Sequence, residues 1–107
     1  MKLATVAIGE TRQTEWAKEV ESPVTPRGQR YGNTVVGPPG PTTWLRIVRR
    51  GSGAEQRYSA ATSRDGVHWV TGGTWTHALP GARLGLVAMG GAGHTATFTA
   101  VRVHRPR

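Results

Sequence analysis

The sequence predicts an all-β fold of short antiparallel strands, and three observations predict it. Fifteen glycines and seven prolines are spread through 107 residues, cutting the chain into short pieces. The pieces between them alternate apolar and polar residues with a period of two, the signature of a half-buried strand. No stretch reads as a convincing helix. Strands joined by turns in this number make a sandwich, a jelly roll or a barrel.

Each element follows in order. Leu3 to Ile8 is apolar and β-branched and reads as a strand, and Gly9 to Thr11 as a turn. Gln13 to Glu21 alternates, with Trp16, Lys18 and Val20 on one side and Glu15, Ala17, Glu19 and Glu21 on the other. Ser22 to Gly32 is a loop, Asn33 to Val36 a short strand, and Gly37-Pro38-Pro39-Gly40-Pro41 blocks regular structure. Thr42 to Arg50 is the clearest strand: Thr43, Leu45 and Ile47 face one way, and Trp44, Arg46 and Val48 the other. Gln56 to Ser63 follows the Gly51-Ser52-Gly53 turn, with Tyr58, Ala60 and Thr62 on one face. Asp65-Gly66 supplies a hairpin turn that needs positive φ, and Val67 to Val70 returns, continued by Thr74 to His77. Arg83 to Met89 and Thr95 to His104 are predicted as the last two strands, joined by Gly90-Gly91-Ala92-Gly93.

The length fits a single domain with a modest core, and the 36% hydrophobic content is below the usual globular share. With no cysteine, neither a disulfide framework nor a thiolate metal site can form. The opening apolar run, ending at Ile8, is too short for a signal peptide, and no run of about 18 apolar residues exists. The chain opens almost directly on a strand, so its first strand is expected to have partners upstream of Met1. A sandwich cut this way leaves an open edge, and a homodimer through that edge is the expectation.

Formal net charge is +8, and twelve of the fourteen basic residues are Arg. Such a balance attracts polyanions over long range but fixes neither fold nor ligand. The bases are scattered; Arg46, Arg49 and Arg50 form one cluster, and Arg102, Arg105 and Arg107 a short tail. A solvated Arg-rich surface is the favoured reading, so nucleic acid is not the expected partner. A polyanion-binding module using these arginines is carried as an alternative.

The run Thr43-Trp44-Leu45-Arg46-Ile47-Val48-Arg49-Arg50-Gly51, followed by Tyr58-Ser59-Ala60-Ala61-Thr62-Ser63-Arg64-Asp65-Gly66-Val67-His68-Trp69, has a recognisable order. An aromatic-Leu-Arg strand, a Gly turn, a strand ending Ser-x-Asp-Gly and a following Trp resemble the concanavalin A-like jelly-roll modules of bacterial glycosidases, those of β-xylosidase-type enzymes above all. Arg83-Leu84-Gly85-Leu86-Val87-Ala88 is similar to the family's Val-Gly-Leu strand, and Ala96 to Val103 to its closing Phe-containing strand. The likeness covers residues 42 to 104 well and 3 to 21 loosely. Two departures stand out: Phe98 is followed by Thr99 where the family carries Asp, and the family domain is longer than this chain. The resemblance implies residues 1–107 as a single β-sandwich domain or the C-terminal part of one. It also implies an extracellular, carbohydrate-associated setting, with a carbohydrate or an adjacent glycosidase catalytic domain as partner.

Sugar binding needs aromatic faces for pyranose rings and planar polar groups for their hydroxyls. Trp16, Tyr31, Trp44, Tyr58, Trp69 and Trp75 supply aromatics, and Arg46, Gln56 and Arg57 supply donors. Trp44 and Arg46 share one strand face about 7 Å apart, a stack-and-clamp pair. The candidate ligand-binding residues are therefore Trp44, Arg46, Tyr58 and Trp75, while Trp69 is read as packed.

A catalytic pair is harder to find. Glycoside hydrolysis needs two carboxylates about 5 to 9.5 Å apart. Glu19 and Glu21 share a face at about 7 Å, which makes a hydrolase acting through them the alternative. The acidic motif of the β-glucanases built on the same sandwich is Glu-x-Asp-x-x-Glu; the order Glu15-x-x-x-Glu19-x-Glu21 does not match it. A solvated strand face is favoured instead. His68, His77, His94 and His104 lie at no ligand spacing, so neither a metal nor a cofactor is assigned.

Overall fold

The structure, a computed structural model, describes residues 1–21, 29–52, 56–93 and 95–105; the side chains of Ile8, Glu19, Val20, Glu21, Gln29, Arg30 and Tyr31 fall outside it as well. The described chain is all-β, with no helix, and so with no helix long and apolar enough to cross a membrane. Six strands make two antiparallel sheets. The first sheet has the order β1 (Lys2–Ile8), β2 (Thr11–Glu21), β3 (Gln29–Val35). The second has the order β4 (Trp44–Arg50), β5 (Arg57–Ser63), β6 (Trp69–Thr76).

The two sheets meet at a shared apolar centre, to which the period-two pattern of their strands turns alternate side chains. In β2 it turns Trp16 inward, where it is fully buried beside Val36, Tyr58 and Ala60. Met1, Leu3, Trp75 and Leu79 pack around that centre. The sheets are also tied by polar groups. The Trp16 indole N–H donates to the Gly73 carbonyl at 3.0 Å, and the Lys18 ammonium to the Thr76 carbonyl at 2.9 Å. Hydroxyls of Thr14 from β2 and Thr62 from β5 converge on the Val36 carbonyl oxygen, whose two lone pairs suit two donors.

A bulge in β6 makes the first of these links. Ser59 pairs with Thr74 and Ala61 with Thr71, so two residues, Gly72 and Gly73, stand opposite Ala60 alone. Glycine is required at the first: a Cβ on Gly72 would lie 2.6 Å from Val36 Cγ2. The second offers its carbonyl to Trp16.

The outer surface of the first sheet holds a clasped carboxylate. Glu15 accepts from the Lys2 ammonium at 3.2 Å and from the Asn33 amide at 3.1 Å, one partner on each flanking strand. Only 7% of the residue is exposed, so both partners offset the cost of burying charge.

Most strand predictions match these elements to within a few residues, and the two runs expected at Val67 to Val70 and Thr74 to His77 form the single strand β6. The loop predicted from Ser22 to Gly32 is shortened, since β3 starts at Gln29, and its first part lies outside the described residues. The last two predicted strands are corrected. Arg83 to Met89 and the described residues from Thr95 to His104 form no strand. Leu84, Leu86, Val87, Met89, Phe98, Val101 and Val103 all stand exposed. The reason is physical: β-branched composition favours extended backbone, but a strand exists only through its ladder. In a strand Leu84 and Leu86 would point one way and Val87 and Met89 the other, so this segment would need cover on both faces. A two-layer fold offers an outer strand cover on one.

Candidate functional site

The register across β4, β5 and β6 sorts their side chains between two surfaces. Tyr58, Ala60 and Thr62 turn to the core, and their partners Arg49, Ile47 and Leu45 share that side. The outer surface runs in rows: Trp44, Ser63 and Trp69; Arg46, Ala61 and Thr71; Val48, Ser59 and Thr74; Arg50, Arg57 and Thr76. The middle strand therefore contributes small residues between taller flanks, apart from Arg57 at one end.

That relief explains the site's central contact. The Arg46 guanidinium crosses over Ala61 and lies 3.7 Å from the centroid of the Trp69 ring. A planar cation at this distance is attracted by the ring's quadrupole while its rim of N–H donors stays available. Trp44 sits beside it, 42% exposed, resting on the β5–β6 turn. Its indole lies 3.0 Å from where a Cβ on Gly66 would stand, and Gly66 has φ +78°, so the position excludes side chains twice over.

The turn itself is fixed by Asp65. Its Oδ1 accepts from the backbone N–H groups of Val67 and His68, each at 2.8 Å, and from the Ser63 hydroxyl at 3.0 Å. Its Oδ2 meets His68 Nδ1 at 2.7 Å. The His68 ring, then the backbone N–H donors, hold the Asp65 carboxyl well below the usual carboxylate range. Ser63 Oγ in turn accepts from the Gly66 backbone N–H at 2.8 Å. Ser63, Asp65 and His68 border an open cleft of about 530 Å³ with Pro38, Pro41 and Val70. These residue types could suggest a hydrolytic triad. Here the Ser hydroxyl and the imidazole both turn to the carboxylate, which is turn chemistry and lacks the Ser–His link that nucleophile activation needs.

The four residues singled out from sequence fall in two places. Trp44 and Arg46 come together on the outer surface. Tyr58 and Trp75 pair with each other on the inner one. Tyr58 is 6% exposed and donates its hydroxyl to Gln56 Oε1 at 2.7 Å. The half-buried Trp75 ring lies against Gly32 of the other sheet. Tyr58 belongs to the buried centre, and Trp75 packs against it. Trp69, read from sequence as packed, is half-buried and carries the Arg46 guanidinium over its ring. Its parity with Ser63 was the available signal, but the reach from Arg46 depends on small residues between two non-adjacent strands. Glu19 and Glu21 lie in β2, and their side chains are outside the described ones. Among the described residues no three His, Asp or Glu side chains gather as a metal site would require.

Compared with known protein families, with curated proteins and with solved structures, the chain matches none.

Proposed function

We propose that this chain is a non-catalytic glycan-binding module, the C-terminal portion of a concanavalin A-like jelly roll that works outside the cell beside a glycosidase. Its ligand surface is the outer face of β4–β5–β6. The observation that carries this reading is the Trp44, Arg46 and Trp69 group: an exposed indole beside a guanidinium that lies over a second indole. A pyranose presents an apolar face to the indole and equatorial hydroxyls to the guanidinium rim. Because Trp69 anchors Arg46 before any ligand arrives, less side-chain entropy is lost on binding.

The mechanism is passive recognition. The groups nearest to catalytic composition already have structural partners: Glu15 is clasped by Lys2 and Asn33, and Asp65 organises its turn.

Affinity electrophoresis of the purified chain against xylan, arabinan and β-glucan tests the reading. Retardation by a neutral glycan should be lost, by about tenfold or more in affinity, in Trp44→Ala. A folded chain that no glycan retards would remove this function.

A further inference from the structure

The far end of the same face carries a feature that a neutral sugar does not explain. Arg50 on β4 and Arg57 on β5 stand directly opposite each other and are both exposed. Like charges directly opposite on paired strands are destabilising. Among the described residues no carboxylate offsets them: Glu15 pairs with Lys2, and Asp65 meets His68. Arg50 also shares its face with Arg46, four residues along β4 and so about 14 Å away at strand rise.

The surface thus has two chemically different ends. One offers Trp44 with the stacked Arg46; the other offers two exposed arginines at directly opposed positions, with Ser59 and Thr74 in the row between. Paired guanidiniums match carboxylate or sulfate oxygens, which they bind in forked, bidentate fashion.

Resting on the glycan-binding reading, we infer that the ligand is an acidic polysaccharide, its carboxylate or sulfate groups held by Arg50 and Arg57 while a ring stacks at Trp44 and Arg46. A nucleic acid strand also carries anionic groups, but tracking one calls for successive open aromatic faces. Here Arg46 already covers Trp69, which leaves Trp44 as the open aromatic of this face among the described residues.

Binding of the full chain is measured against polygalacturonate (carboxylated), heparin (sulfated), neutral xylan and oligothymidylate, at moderate salt. The variants are Arg50→Gln/Arg57→Gln and Trp44→Ala. An acidic glycan should bind about tenfold or more tighter than xylan, and the double Gln variant should lose that margin while its xylan binding holds. Polygalacturonate and heparin separate carboxylate from sulfate recognition. Thermal melting checks the fold of the double variant, which loses a repulsion and should melt no lower than the parent. Acidic binding unchanged in the double variant overturns the inference, as does oligothymidylate bound as tightly as the acidic glycan. Xylan binding that depends on Trp44, with no acidic preference, overturns the inference and leaves the glycan reading standing. Failure to bind any glycan removes both.

Discussion

The Arg46 guanidinium and the Trp69 ring meet at 3.7 Å although β5 runs between their strands. Two strand spacings come to about 10 Å, which an arginine spans only when nothing tall stands in the way. Ala61, in the row of Arg46, and Ser63, in the row of Trp69, satisfy that condition. A double-mutant cycle of Arg46→Met and Trp69→Leu, read by urea denaturation, should give a coupling of about 0.5–1 kcal/mol, the range for an exposed cation–π pair. Ala61→Leu should abolish that coupling by lifting the guanidinium off the ring. A cycle in which the two substitutions simply add would mean that the stack contributes nothing to the fold.

Gly72 lies close against Val36, the residue that follows β3. Its missing Cβ would come within 2.6 Å of Val36 Cγ2 and 3.1 Å of Cγ1, and Val36 is itself buried at 1% exposure. The Val36 backbone is held as well, because its carbonyl accepts the two threonine hydroxyls. Gly72→Ala should cost about 1–3 kcal/mol by overpacking. Adding Val36→Ala should recover part of the loss, giving a favourable coupling between two individually destabilising changes. Equal melting of Gly72→Ala and the parent would show that the sheets have room to separate there.

Asp65 makes stability depend on acid. Its carboxyl titrates below the ordinary range because His68 and the backbone donors of the turn favour the charged form. A lowered folded-state pKa means the unfolded chain takes up this proton first as pH falls. The contribution of Asp65 is therefore fully present at neutral pH and disappears through the acid range below about pH 4. Asp65→Asn should be less stable than the parent at neutral pH, and the gap between them should narrow as pH falls. The urea midpoint measured against pH checks this; a gap of constant size would assign the loss to shape and not to charge.

Much of this fold could be read from residue order, for reasons that differ by element. Trp16 and Lys18 face inward as their alternation with Glu15 and Ala17 requires, because side-chain parity is a local property of strands. Asp65-Gly66 announced its turn because Gly66 supplies the positive φ. The candidate site was half legible. Trp44 and Arg46 share a face by parity alone, whereas Tyr58 sits on a strand whose inner side becomes the core. Parity says that Tyr58, Ala60 and Thr62 agree, but not which side the other sheet will cover. The opposition of Arg50 and Arg57 depends on hairpin register, which the glycines of the connecting loop do not specify. The segments from Arg83 to Met89 and from Thr95 to His104 have local strand character without a pairing partner, and local character was all that the residues could report.

Those segments lead to a prediction about the whole chain. Among the described residues the buried centre consists of Trp16, Val36, Tyr58 and Ala60, and the last residue packed against it is Leu79. Leu79 is anchored by its N–H to Gln56 Oε1, and a short turn closes from Ala82 N–H to the Leu79 carbonyl. Beyond that turn the described side chains are exposed, including Leu84 at 65% and Val103 at 77%. Exposed apolar side chains in this number favour association in water, and extended segments without ladders leave backbone groups open to pair with another chain. The full chain should self-associate with rising concentration, and a chain ending at Ala82 should be monomeric at the same concentrations. Because the buried centre is untouched, the shortened chain should keep its melting temperature to within a few degrees, a change of less than about 1 kcal/mol. Sedimentation velocity and thermal melting of the two lengths give the answer together. A shortened chain that unfolds would mean that the exposed segments complete the sandwich in solution, each pairing with a sheet edge of its own chain.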